Sequence, residues 1–407
     1  MQAPTAGLDA SFDALPVEII EHVLADVALC DIRSLRLAVD LRPHALQGLS
    51  EQLEAPDSIA CNLENLTITG VLYITKSQEK ILRLQTFPSD STDVFGQRHD
   101  GLGNWTALQP KRKPAVANDL AQAEHELEVL KRWQGEVALE RSTGSDLQSL
   151  MALFERIGKY GASGGLRSLK LNVVVVRFVG TRVAPKDGGA WRPIWDYAAH
   201  LFAVTLHALA RTSLRVERFD VYSEVEVCSV PGFDIASTLE HQASEPHASD
   251  VPLRNVLRSL KALSLSTSSR VVAPIGSAKR HEADPDDEVL ERPVLHRRQS
   301  IYTFSESDTH DLEAMIADPR SITSVAQLLH HTPDLEELDL HSYRLPWYDA
   351  QNFSLPEHTQ AVFGCIVRIA CLPLLKKLTL RGLSPRAEDL LSFLHASPGL
   401  QSSISAA

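Results

Sequence analysis

Leu335-Glu336-Glu337-Leu338-Asp339-Leu340 and Leu375-Lys376-Lys377-Leu378-Thr379-Leu380 each place leucine at the first, fourth and sixth positions of a six-residue run. The second half of each run alternates apolar and polar residues, the pattern of a short strand with one face buried. Both runs are entered in the same way. Pro333-Asp334-Leu335 and Pro373-Leu374-Leu375 set a proline two residues ahead of the first leucine, where it stops a helix. Helical patterns from Ser324 to His331 and from Thr359 to Cys371 lie just upstream. The unit is therefore helix, proline stop, strand.

With apolar substitutes the same pattern recurs nearer the N-terminus. It appears as Leu63-x-x-Leu66-x-Ile68, Leu166-x-x-Leu169-x-Leu171, Val216-x-x-Phe219-x-Val221 and Leu260-x-x-Leu263-x-Leu265. Helical patterns over Asp146 to Tyr160 and Tyr197 to Ala210 precede two of them. Six copies, most with a helix in register before them, indicate stacked αβ units. They resemble an irregular leucine-rich repeat. The spacing departs from that family, running from 40 residues (Leu335 to Leu375) to 103 (Leu63 to Leu166), against about 20–29 in regular repeats. Val174, Ser268, Tyr343 and Leu383 also stand where the family carries asparagine or cysteine.

The first part of the chain reads differently. Ile19, Ile20, Val23, Leu24 and Val27 form the apolar stripe of an amphipathic helix entered at Pro16, with Glu18 on the side its dipole favours. Asp31 can cap a second short helix carrying Ile32, Leu35 and Leu37. A third, with Ala45, Leu46, Leu49 and Leu53, can start at Pro43. Such a bundle over residues 12–53 buries too little to stand alone and is expected to dock on something. The run Leu15-Pro16-Val17-Glu18-Ile19-Ile20, then Val23-Leu24, Asp31-Ile32 and Leu35-Arg36-Leu37-Ala38, resembles an F-box. The expected fold class is thus α/β: an N-terminal three-helix F-box-like bundle followed by an irregular leucine-rich-repeat-like solenoid over 60–405.

Two stretches interrupt the repeats and are expected to be disordered insertions, 89–118 and 266–320, because both are polar and charge-clustered. Lys111-Arg112-Lys113 and the Arg297-Arg298-Gln299-Ser300 run read as solvated loop, or less readily as a nuclear import signal and a kinase site. The net charge of −12 opposes nucleic acid or anionic lipid as the main partner. No apolar run approaches the roughly 20 residues of a membrane-spanning helix, and the start lacks the pattern of a secretory signal. Five scattered cysteines suggest neither a zinc site nor a disulfide framework and fit a reducing compartment, cytosol or nucleus.

Gly161-Ala162-Ser163-Gly164-Gly165 matches the G-x-S-x-G of a serine hydrolase, but that elbow requires strand, turn, then helix. Here the helical pattern comes first, and a glycine-rich turn accounts for the residues. No catalytic, cofactor-binding or metal-ligating residue can be nominated. The resemblance implies a non-enzymatic substrate receptor of an SCF-type (cullin–RING) ubiquitin ligase. Leu15, Pro16, Ile19, Ile20, Leu24, Ile32 and Leu35 would bind the Skp-type adaptor. The strand residues that alternate with the leucines must face away from the core. At the C-terminal end these are Glu337, Asp339, His341, Lys377, Thr379 and Arg381, an acidic rung beside a basic one, expected to pair when empty and to receive a protein substrate. A repeat scaffold unconnected with ubiquitin, and a hydrolase using Ser163, are the other readings.

Overall fold

The structure is a computed structural model, described over residues 35–52, 63–88, 97–99, 105–107, 112–161, 164–187, 191–244, 251–268, 318–343, 355–400 and 405–406. In chain order the elements are β1 (Leu35–Asp40), α1 (Pro43–Gln52), β2 (Leu63–Tyr73), α2 (Lys76–Leu84), β3 (Thr86–Pro88), β4 (Gln97–His99), β5 (Trp105–Ala107) and β6 (Arg112–Pro114). Next come α3 (Ala117–Thr143), α4 (Ser145–Tyr160), β7 (Gly165–Phe178), β8 (Thr181–Val183), α5 (Trp191–Thr212), β9 (Arg215–Val221), β10 (Val230–Pro231), α6 (Gly232–Ser244) and α7 (Val251–Arg258). The last are β11 (Ala262–Ser268), α8 (Pro319–His330), β12 (Glu337–Ser342), α9 (Leu355–Ile369), β13 (Lys377–Arg381), α10 (Ala387–Ala396) and β14 (Ser405–Ala406).

The main sheet follows the path β1-β2-β7-β9-β11-β12-β13-β14, with β10 beside β11 and β8 folded back on β7. Every pairing in it is parallel except β7 with β8. Parallel neighbours cannot be joined by a tight turn, so the chain returns through helices. Order in the sheet follows order in the chain. There is no reversal of the kind that opens a ligand crevice in doubly wound nucleotide-binding sheets. The six leucine-patterned runs all lead into these strands, with Leu260, Leu335 and Leu375 two residues ahead of theirs, and the leucines build the core. Leu169, Leu171, Val173 and Val175 of β7 are completely buried, as are Phe154 on α4, Trp195 and Phe202 on α5 and Phe363 on α9. α4 shows why such helices form: Leu150, Leu153, Phe154 and Ile157 make one apolar stripe between Gly144, at φ 67°, and Gly161.

This architecture corrects the expected bundle and solenoid at two points. First, Leu35–Asp40 is a strand, not the second helix of a bundle. As the edge strand it pairs with β2 along its length, Leu35 beside Leu63 and Asp40 beside Thr69, with a register shift between Leu35 and Arg36. Partners supplied by the sheet outweigh a weak local preference for helix. Second, the sheet carries helix on both faces. β2 and β7 run 11 and 14 residues, well past their leucine patterns. The extra length presents Val71, Tyr73, Val174 and Val176 on the face opposite the main core. The 27-residue α3 covers them with Leu130, Trp133 and Val137. Tyr73 and Trp133 meet with ring centroids 5.2 Å apart, and the Gln134 side-chain amide donates to the Tyr73 carbonyl at 2.7 Å. Burying Leu130 fully is worth about 1.5–3 kcal/mol. The molecule is a mostly parallel α/β sheet flanked by helices, not a bundle followed by a solenoid.

Within 89–118 the described residues form the antiparallel pair β4 with β5, the strand β6, which pairs with β3 just upstream, and the start of α3. In 266–320, Ser266–Ser268 end β11 and Asp318 caps α8 by accepting the Arg320 N–H at 2.8 Å. The rest of both stretches, including Ser300, lies outside the described residues, as do Leu15, Pro16, Ile19, Ile20, Leu24 and Ile32.

Candidate functional site

The strand residues that point away from the main core line up in rungs across the sheet. One rung runs Asn65, Ser168, Arg218, Ala262, Glu337, Lys377. The next runs Thr67, Lys170, Asp220, Ser264, Asp339, Thr379, and above it Ser266, His341 and Arg381 are neighbours. All six nominated residues of the C-terminal end therefore stand on one face, in register.

Their ionic partners are partly the expected ones. Arg381 grips Asp339 through two hydrogen bonds, Nε to Oδ1 at 3.1 Å and Nη2 to Oδ2 at 2.9 Å. Its Nη1 donates to the Ser223 carbonyl at 3.1 Å. Glu337 does not turn to its register neighbour Lys377; it accepts from Arg218 at 3.1 Å, reaching across the small Ala262. Lys170 bridges Asp220 at 3.7 Å and Glu224. The Lys170 hydrogen bond and charge hold the Glu224 carboxyl below the usual range. Burial lowers the His341 pKa, helped by Arg381 and opposed by Asp339. Lys170, Arg218, Lys377 and Arg381 thus stand among Asp220, Glu224, Glu337 and Asp339, four cations against four anions. Exposed pairs of this kind contribute about 0–1 kcal/mol each, so a charged partner can exchange them at little cost.

One part of this face was not legible in the sequence. Between β9 and β10 the chain leaves the sheet as a strap, residues 222–229, and lies over the upper rung. Cys228 accepts from the buried Ser266 hydroxyl at 3.1 Å, Ser223 holds Arg381, and Glu224 holds Lys170. Glu226 pairs with Lys186 at 3.1 Å. The strap is bent at Tyr222 and Val227, whose φ values of 60° and 59° cost non-glycine residues on the order of 1–3 kcal/mol each. Its ends are fixed from below: the buried Tyr222 hydroxyl donates to Ala198 at 2.9 Å, and the Trp195 indole donates to Val227 at 3.1 Å. No turn motif in 222–229 announces this, because the anchoring partners come from distant parts of the chain.

A second polar cluster sits where α3, α4 and α5 meet. The His200 imidazole lies 2.6 Å from the buried Asp146 carboxylate, and Arg141 meets Asp196 at 3.0 Å. No serine or cysteine stands against the His200–Asp146 pair among the described contacts. Ser163 lies outside the described residues. Its surroundings run helix (α4), then strand (β7), the reverse of a nucleophile elbow. Among the described residues no group of three or more histidine, cysteine or carboxylate side chains is placed to hold a metal, and no helix is long and apolar enough to cross a membrane.

No family model matches the chain, and no curated protein matches it.

Proposed function

We propose that the chain is a substrate receptor of an SCF-type ubiquitin ligase, working in the cytoplasm or nucleus without catalysis of its own. In this reading the segment around Leu15, Pro16, Ile19, Ile20 and Leu24 binds the Skp-type adaptor, and the polar sheet face holds a protein substrate. The rate effect is proximity: the bound substrate meets the charged ubiquitin carrier at high effective concentration. The observation that supports a binding role is the ordered, charge-balanced set of rungs from Lys170 to Arg381, exposed at Arg218 and Lys377. A mixed-charge face suits a protein partner better than a polyanion.

The test is copurification at matched expression. The wild-type chain is expected to recover a Skp-type adaptor, and Leu15→Asp with Pro16→Ala to lose it while the sheet stays folded. Lys377→Glu with Arg381→Glu is expected to lower recovery of substrate several-fold and leave the adaptor bound. A wild-type chain that never recovers the adaptor overturns the ligase reading. The scaffold unconnected with ubiquitin would then stand, and the incorporation of Leu35 into the sheet favours that alternative.

A further inference from the structure

Glu224 and Glu226 project from the strap beside the polar sheet face, and they are its least anchored residues. Their side chains are 75% and 67% exposed. Ser223 and Cys228 are buried, and Val225 and Val227 lean on the main core. The strap backbone is held by other bonds, from Arg381 to the Ser223 carbonyl, Trp195 to Val227 and Ser266 to Cys228. The two carboxylates can therefore swing into solvent, as exposed side chains do, while the backbone stays where it is.

Each glutamate holds one lysine. Glu224 takes Lys170, whose hydrogen bond and charge, with a smaller contribution from Arg381, keep its carboxyl below the usual range. Glu226 takes Lys186 at 3.1 Å and, with Asp187 adding a smaller effect, raises the lysine pKa. Lys170 has a second carboxylate, Asp220, at 3.7 Å. Glu226 is the one ion-pair partner of Lys186 among the described residues. Exposed pairs like these are held weakly and are screened by salt. Once the glutamates swing out, Lys170, Arg218, Lys377 and Arg381 stand on the face against Asp220, Glu337 and Asp339, with Lys186 beside them. A chain of net charge −12 thus carries a locally positive surface that its own carboxylates cover.

We infer that the strap is a built-in competitor: Glu224 and Glu226 stand in for the carboxylates of an acidic protein segment of Glu-x-Glu type, which binds by taking Lys170 and Lys186 from them. Asp220 and Asp339 lie among the cations, so a short acidic segment fits where a continuous polyanion is repelled. The inference rests on the reading of the polar face as a binding surface and does not depend on the ligase.

The test is fluorescence anisotropy of a labelled Ser-Glu-Val-Glu-Val peptide, the sequence of residues 223–227, titrated with the full chain. Glu224→Gln with Glu226→Gln should bind it about tenfold tighter than wild type, because two weak competing pairs are gone. Glu155→Gln with Glu388→Gln, on exposed positions of α4 and α10 across the sheet, removes as much charge and should leave the affinity unchanged. Lys170→Gln with Lys186→Gln should lose binding, and wild type should not bind a peptide with glutamine at both acidic positions. All the substituted side chains are at least partly exposed, so each variant should keep the wild-type melting temperature. The inference is overturned if the strap variant binds no tighter than wild type or if the α4 and α10 variant gains as much. It is also overturned if a single-stranded oligonucleotide competes better than the unlabelled peptide. Unchanged substrate recovery by Lys377→Glu with Arg381→Glu would instead remove the face as the substrate surface, and that measurement is separate from the peptide titration.

Discussion

Asp234 stands in the first turn of α6, and burial, reinforced by the negative charge of Asp196, raises its pKa to about 6. A carboxyl whose folded pKa exceeds its unfolded value favours the folded state when protonated. Ionised Asp234 therefore costs stability above pH 6, and the cost fades as pH falls toward 4. Asp234→Asn should raise the melting temperature at pH 7.5 by about 1–3 °C. That corresponds to about 1 kcal/mol once solvent screening of a half-buried group is allowed for. The gain should vanish near pH 4, as melts across that range would show. Gly70 makes the opposite case. A methyl group there would run into the Tyr197 ring and Leu201 of α5, both buried. Gly70→Ala should lose about 1–3 kcal/mol in urea denaturation, because α5 cannot back away from a packed sheet.

Among the elements, α3 decides most. Leu130→Ala removes a fully buried side chain from a small cluster with few other members. It should cost about 2–4 kcal/mol of local stability and speed proteolysis inside α3 more than inside β12 or β13. Equal protection of α3 in the variant would mean that the helix is held elsewhere. The helix itself could have been read: Ala117 to Thr143 is rich in alanine, glutamate, leucine and glutamine, with Gly135 its one glycine and no proline. Its destination could not. Val71, Tyr73, Val174 and Val176 sit at polar-face parity, and only the length of β2 and β7 shows that this end of the face is covered. The leucine runs were legible because burial on one face imposes period two. β1 was misread because six alternating residues are too few to outweigh an apparent cap at Asp31.

For the whole molecule, one face and its register followed from sequence, since parallel pairing of like patterns aligns like positions. The strap over that face did not. It is held by residues far apart in the chain, such as Ser223 with Arg381. The uninterrupted chain-order sheet carries a consequence for how the protein is made. During synthesis, at about 5–20 residues per second, each strand on the main path from β9 onward emerges to find its neighbour already in place, and the two-residue β10 alone waits for β11. The sheet can grow rung by rung behind the ribosome, without waiting for the C-terminus. Its leading edge, however, is bare at every stage until the next strand arrives, and an unpaired edge invites another nascent chain. From β9 onward, that exposure lasts longest in the interval between β11 and β12. Ribosome stalling there should yield more aggregate than stalling after β13.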